Sequence, residues 1–165
     1  MGQTYIAAPR PNISLDDAAE ERLIRLAPAP PGANAKRYLR ILVVDDLVVN
    51  RKLLSAILAS SGHSVTEAAN GPEAIEAAGL APFDLILMDL HMPRMDGAAA
   101  ARAVRAIAGP NRATPILALT ADTRPEQVAV CMQAGMDGYL TKPISLADLL
   151  ATVDALDVVE DDDEA

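Results

Sequence analysis

Five polar side chains each stand at or near the end of a short apolar run, and their types suit one kind of chemistry. Asp45 and Asp46 follow the first such run, and Asp89 follows another. Clustered carboxylates repel one another and need a compensating charge, which a hard divalent cation such as Mg²⁺ supplies through oxygen ligands. Thr120 and Lys142 offer a hydroxyl and an ammonium to the same anion. Together these groups suit transfer of a phosphoryl group to a carboxylate.

The five residues can act together only if regular elements bring them to one place. From Arg40 onward the sequence alternates between short apolar runs and helical patterns. Because most of the strand segments are apolar on both faces, they predict a parallel sheet covered by helices, a doubly wound α/β domain. Ligands of such sheets bind outside the carboxyl ends of the strands. We predict strands at 40–44, 63–68, 84–88, 115–119 and 138–140, and helices at 48–60, 71–80, 97–108, 124–134 and 145–156.

Composition limits the classes of function. The 165 residues carry a formal net charge of −9, and the last twelve hold seven acidic and no basic side chains. This balance, with 2% aromatic residues, argues against nucleic-acid binding. The sequence has neither an apolar run of membrane-spanning length nor a secretion signal, and its single cysteine, Cys131, suits a reducing compartment. We therefore expect a cytoplasmic location and no membrane partner.

The ends of the sequence differ in pattern from its middle. Residues 1–38 are interpreted as an extension, disordered up to Ile13, in which Ser14 caps a short helix over 15–26. A Pro-rich linker then precedes a domain at 39–157, and 158–165 are interpreted as a disordered acidic tail. Only about nine residues follow the last predicted helix, so we expect no output domain.

Four stretches identify a family resemblance. The motifs ILVVDD, LILMDLHMPRMDG, ALTA and YLTKP begin at Ile41, Leu85, Ala118 and Tyr139. In type, order and separation they resemble the receiver domain of bacterial two-component response regulators, over roughly 38–156. The motifs are most similar to receivers of hybrid histidine kinases, although Leu47 stands where those often have asparagine. The resemblance implies a flavodoxin-like sheet of five parallel strands in the order 2-1-3-4-5.

The resemblance also implies which residues accept the phosphoryl group and bind the metal ion. Asp89 would be the phospho-acceptor. Asp45 and Asp46, with Asp89 and the backbone carbonyl of His91, would hold Mg²⁺, for which Mn²⁺ would substitute.

A second group of residues would respond to phosphorylation. By the same resemblance Thr120 would bind a phosphoryl oxygen, and Lys142 would pair with the phosphoryl group. Tyr139 would turn inward with Thr120 on activation. The bond between Lys142 and Pro143 is expected to be cis.

Two positions in the family tune the lifetime of the phosphoryl group, and here they are His91 and Asp122. His91 also argues against an aspartate-based phosphatase of the haloacid dehalogenase type. Such enzymes need a second acid two residues after the nucleophile, where this chain has a histidine.

The function implied is a phospho-accepting receiver that takes its phosphoryl group from a sensor histidine kinase or a histidine phosphotransferase. Its output would be contact with a downstream protein, which the sequence does not identify. It would not be a stand-alone turnover enzyme, since it catalyses only its own phosphorylation and dephosphorylation. Two alternatives stay open: a carboxyl-terminal receiver fragment of a hybrid histidine kinase, and an interaction module that is never phosphorylated.

Overall fold

Short apolar runs bounded by polar residues or proline form the strands of one sheet. The structure is a computed structural model, and it describes residues 13–15 and 38–156. All residues of the fourth and fifth strands are buried, which explains why these runs lack alternation. The strands are β1 (Ile13–Leu15), β2 (Arg40–Val44), β3 (Ser64–Ala68), β4 (Leu85–Asp89), β5 (Ile116–Thr120) and β6 (Gly138–Thr141).

Five helices connect or follow the parallel strands of the described region. Two of them are capped by the side chain of the preceding residue, where Asn70 accepts from the Glu73 N–H and Asp96 from the Ala99 N–H. None of the five has the length and apolar content of a membrane span. The helices are α1 (Val48–Ser60), α2 (Gly71–Leu80), α3 (Gly97–Ala106), α4 (Pro125–Gln133) and α5 (Leu146–Leu156).

The sheet has the predicted order with one strand added. Its six strands lie in the order β1-β6-β5-β4-β2-β3. The strands from β2 to β6 are parallel and reproduce the order 2-1-3-4-5, which confirms the predicted fold class. Strand β1 pairs antiparallel with β6 at the edge of the sheet, and the sequence pattern did not predict it.

The helix predicted near the N-terminus is wrong where the structure tests it. Ser14 and Leu15 lie in β1, so Ser14 is not a helix cap, and Ile13 is paired rather than disordered. The edge of β6 offers backbone donors and acceptors that an extended segment satisfies, and this tertiary pairing overrides a short helical pattern. The rest of the predicted helix, the Pro-rich linker and the acidic tail lie outside the described residues.

Helices cover both faces of the sheet, as the continuous apolar strands require. On one face the strands pack against α1 and α5, and on the other against α2, α3 and α4. The second face contains many alanines, whose small side chains leave room for a helix to approach a sheet closely. The apolar helix residues buried on the first face are Leu54, Leu58, Leu149, Val153 and Leu156, and those on the second face are Ala74, Ala78, Ala98, Ala100, Ala101, Val104 and Cys131.

The start of α3 lies against the end of β4 so closely that only glycine fits. The Gly97 N–H donates to the Leu90 carbonyl at 2.9 Å. A Cβ atom on Gly97 would collide with the backbone carbonyl of Asp89 and lie 3.0 Å from the Cα of Leu90. Gly97 therefore fixes the distance between α3 and the last residue of β4.

We expect Gly97→Ala to lower the free energy of unfolding by about 1–3 kcal/mol, because the added methyl group meets backbone that must shift. Gly79→Ala is the matched control. Gly79 lies exposed in α2 with nothing within 4 Å of an added Cβ, so alanine there should raise stability by about 0.5–1 kcal/mol. Urea unfolding measures both, and equal effects of the two substitutions would contradict the close approach at Gly97.

Candidate functional site

The carboxyl ends of neighbouring strands bring the five polar residues of the sequence motifs to one edge of the sheet. Asp45 and Asp46 follow β2, and Asp89 is the last residue of β4. Thr120 ends β5, and Lys142 follows β6. The polypeptide therefore places three carboxylates, a hydroxyl and an ammonium together through the register of four parallel strands.

The three carboxylates form a cluster with the character of a cation site. Asp45, Asp46 and Asp89 each offer an oxygen that lies within 4.8 Å of the others. Asp45 is fully buried; its Oδ1 accepts from the Leu47 N–H at 2.9 Å. Its Oδ2 has no hydrogen-bond partner among the described residues and lies 3.6 Å from Lys142 Nζ. A buried carboxylate oxygen without a donor is costly, and a hard cation would satisfy it.

Lys142 supplies positive charge to this cluster. Its Nζ donates to Asp89 Oδ1 at 3.0 Å, and its backbone N–H donates to the Thr120 carbonyl at 2.7 Å. The Lys142–Pro143 peptide bond is cis, as the family resemblance implies. The lysine is thus attached to β5 through its backbone and to β4 through its side chain.

Asp89 is an acid whose ionised form is disfavoured by its surroundings. Burial is the largest cause and raises the pKa of Asp89 to about 6. Lys142 acts in the opposite direction, while the charge of Asp45 and a contact with Asp46 raise the pKa further. One ammonium therefore does not balance the carboxylates that the fold brings together.

The two positions expected to tune the phosphoryl lifetime flank the cluster. The His91 N–H donates to Asp89 Oδ1 at 3.3 Å, and the His91 side chain is exposed. The Asp122 N–H donates to Thr120 Oγ1 at 2.9 Å. The Asp122 carboxylate is paired with Arg124 at 2.6 Å, and this contact lowers the pKa of Asp122 to about 2. Sequence reasoning missed Arg124, although its spacing of two residues from Asp122 was a usable signal.

Tyr139 lies on β6, half-buried against the core on the α2 and α3 face. It stands opposite Ser14 in the register of β1 and β6. Its inward turn on activation stays a prediction, as does metal binding by the His91 carbonyl.

A doubly wound sheet that presents an acidic cluster, a threonine and a lysine at the carboxyl ends of its strands defines the receiver class of signalling domains. The sequence profile of the response regulator receiver domain matches residues 41–154. The chain belongs to this family of two-component signalling domains.

The similar proteins include histidine kinases, a response regulator and a solved receiver. Sensor histidine kinase AruS of Pseudomonas aeruginosa is 37% identical over 131 residues, which is 79% of this chain and 13% of AruS. The two-component response regulator ORR41 of Oryza sativa subsp. japonica is 40% identical over 115 residues, 67% of this chain and 88% of ORR41. The chain thus spans a small part of AruS and most of ORR41.

Among solved structures, the receiver domain of sensor histidine kinase PA1611 from Pseudomonas aeruginosa superimposes with a TM-score of 0.67 at 38% identity. The match covers 73% of this chain and 98% of that receiver, which holds a magnesium ion coordinated in its active-site cleft.

The raised pKa of Asp89 predicts how stability depends on pH when divalent cations are chelated. Between its ordinary value of 3.8 and about 6 the folded state binds more protons than the unfolded state. Stability therefore falls as pH rises through this window. We expect the free energy of unfolding of Asp89→Asn to exceed that of the wild type by on the order of 2 kcal/mol at pH 7.5. This difference should close near pH 4.

Urea unfolding in EDTA across this pH range measures the effect. Asp154→Asn removes an exposed carboxylate of α5 and controls for the loss of any negative charge. A gap between wild type and Asp89→Asn that does not change with pH would contradict this account of Asp89.

Proposed function

We propose that this receiver accepts a phosphoryl group on Asp89 from the phosphohistidine of a sensor histidine kinase or a histidine phosphotransferase. The observation that carries the proposal is the contact of buried Asp89 with Lys142 inside a cluster of three carboxylates. A carboxylate with a raised pKa that sits between acids and one ammonium is poorly stabilised as an ion. Formation of the acyl phosphate removes the charge of the carboxylate. The phosphoryl oxygens carry negative charge instead, at a place where a cation and Lys142 can contact them.

Asp45, Asp46 and Asp89, with the His91 carbonyl, are the groups that would hold Mg²⁺, and Mn²⁺ would substitute. The Oδ2 of Asp45, which has no hydrogen-bond partner among the described residues, and the set of carboxylate oxygens fit a hard cation. When bound, the metal ion neutralises charge on the phosphoryl oxygens. The magnesium ion in the PA1611 receiver supports this assignment.

The transfer itself needs few groups from the protein. An oxygen of Asp89 attacks phosphorus, the P–N bond of the phosphohistidine breaks, and the imidazole nitrogen leaves with the electron pair. The Lys142 ammonium lies 3.0 Å from Asp89 and stabilises negative charge on the transferred group. Hydrolysis of the resulting acyl phosphate returns Asp89 to a carboxylate.

The phosphorylated form would switch conformation through Thr120 and Tyr139. The Thr120 hydroxyl now donates to the Asp122 carbonyl at 3.3 Å, and it must turn its hydrogen away from that carbonyl to bind a phosphoryl oxygen. Tyr139 lies on the neighbouring strand and is only half-buried, so its ring would become more buried if it turned inward toward Thr120. Phosphorylation gives these residues contacts in the active state alone and so shifts the population toward it.

Incubation with acetyl phosphate tests the chemistry, with intact mass as the readout. We expect a gain of one phosphoryl group that requires both Mg²⁺ and Asp89, so Asp89→Asn should show none. Asp154→Asn, the exposed carboxylate of α5, should gain it like the wild type. If the wild type gains no mass and does not bind beryllofluoride, the chain is an interaction module that is never phosphorylated.

We also assign the surface that meets the phosphate donor. Leu47 directly follows Asp46 and donates its N–H to Asp45 Oδ1, and apolar side chains that are more than half exposed continue from it along the first turns of α1. Helical spacing puts Val49 and Leu53 on the same side of α1. An apolar surface at the rim of the site suits the helical surface of a kinase or a phosphotransferase. Its members are Leu47, Val48, Val49 and Leu53.

Val49→Asp should slow phosphoryl transfer from a purified histidine phosphotransferase in its phosphohistidine form by at least about tenfold, because a charge enters an apolar contact. Transfer from acetyl phosphate should be unchanged. Leu80→Asp is the matched control, since Leu80 on α2 is 79% exposed and Val49 is 78% exposed. Equal slowing by Val49→Asp and Leu80→Asp would contradict the assignment of this surface. So would a Val49→Asp variant that loses as much activity with acetyl phosphate as with the phosphotransferase.

Two settings for this function stay open. The match covers 88% of ORR41, as expected for a free-standing regulator. It covers 13% of AruS, as expected for a receiver within a hybrid kinase. The chemistry at Asp89 is the same in both settings.

A further inference from the structure

The edge of β6 carries a strand from a distant part of the chain. Strand β1 pairs with it antiparallel, with Ile13 opposite Leu140, Ser14 opposite Tyr139 and Leu15 opposite Gly138. β1 has three residues, whereas the strands from β2 to β5 have five each. The 22 residues of 16–37 connect β1 to the domain along the chain. A strand this short, added at an edge, is the part of the sheet that separates most easily.

β6 leads directly into the phosphorylation site. Thr141, its last residue, pairs with Thr120, and Lys142 follows it. The Lys142 N–H donates to the Thr120 carbonyl, and Lys142 Nζ reaches Asp89. The position of the β6 backbone therefore sets the positions of the lysine and of the paired threonine. β1 pairs with the same β6 backbone as far as Leu140, which lies two residues before Lys142.

The contacts of Lys142 change when Asp89 is phosphorylated. The carboxylate oxygen that Lys142 now contacts at 3.0 Å becomes part of an acyl phosphate. The ammonium then moves to a phosphoryl oxygen, and the Thr120 hydroxyl turns its hydrogen from the Asp122 carbonyl to a phosphoryl oxygen. Both movements start from residues at the carboxyl ends of β5 and β6. Backbone hydrogen bonds from β1 oppose a shift of β6, because the strand would have to move with it or separate.

We propose that residues 13–15 form an intramolecular edge strand that stabilises the unphosphorylated arrangement of the site, and that phosphorylation of Asp89 weakens its pairing with β6. This inference rests on the proposed function of Asp89. The coupling is reciprocal. If pairing of β1 with β6 stabilises the unphosphorylated state relative to the phosphorylated state, phosphorylation destabilises that pairing by the same free energy. The free edge of β6 then becomes available on the surface of the phosphorylated protein.

A double substitution in the full chain tests the coupling. Adjacent residues of a strand point their N–H groups in opposite directions, so Ser14→Pro with Leu15→Pro removes one donor that faces β6 whichever way β1 lies. The matched control carries the same two prolines at Ala7 and Ala8, which precede β1 in the sequence. Beryllofluoride with Mg²⁺ serves as the phosphoryl mimic, and the amide NMR shift of Thr120 reports saturation.

We expect the Ser14 and Leu15 double variant to reach half-saturation at a beryllofluoride concentration lower by about fivefold or more, the scale of ordinary coupling between sites. The Ala7 and Ala8 variant should match the wild type. If the double variant also matches the wild type while both bind beryllofluoride, the coupling is overturned and the proposed function stands. If the wild type neither binds beryllofluoride nor gains mass with acetyl phosphate, the proposed function fails and the coupling fails with it.

Hydrogen exchange on the unsubstituted chain tests the same claim without a variant. Amides in residues 13–15 that are protected in the free protein should exchange faster when Mg²⁺ and beryllofluoride are bound, whereas amides of β4 should not. Equal or slower exchange of residues 13–15 in the bound protein would overturn the proposal. This measurement decides the question even if the two prolines prevent folding.

Discussion

Electrostatic repulsion among Asp45, Asp46 and Asp89 is the constraint on which the rest of the site depends. Their oxygens lie within 4.8 Å of one another, and the ammonium of Lys142 contacts two of the three side chains. The sheet holds this arrangement because helices cover both of its faces and the strand ends have little freedom to separate. The raised pKa of Asp89 reflects the imbalance. A cation and a phosphoryl group would complete the balance of charge, which is why the site is suited to gaining and losing a phosphoryl group.

Much of this arrangement could be predicted from the sequence because it depends on local patterns. Continuous apolar runs such as 41–44 and 85–88 are typical of buried parallel strands, and a parallel sheet brings the following residues to one edge. The five polar residues of the site can be identified from this pattern because each stands at or near the end of such a run. Boundaries differed by a residue or two; α3, for example, ends at Ala106 rather than 108.

The remaining features depend on contacts between distant residues, which local patterns do not encode. Ile13–Leu15 has no strand signal, and Ser14 and Leu15 belong to a helical pattern. Their strand structure follows from the open edge of β6 more than 120 residues away. The sequence shows a glycine at position 97 but does not predict that a side chain there would collide with the Asp89 carbonyl. That collision depends on how closely α3 approaches β4. The ion pair of Asp122 and Arg124 is local and was missed because neither residue belongs to the acidic cluster.

The most direct test of the central claim is to find which residue carries the phosphoryl group. The protein is treated with acetyl phosphate, with Mg²⁺ or with EDTA, then reduced with sodium borohydride, which converts an aspartyl phosphate into homoserine, and sequenced by peptide mass spectrometry. This account predicts homoserine at position 89 in the Mg²⁺ sample alone. Homoserine at 45 or 46, phosphate on a serine, threonine or histidine, or modification at 89 that is equal in EDTA would contradict it.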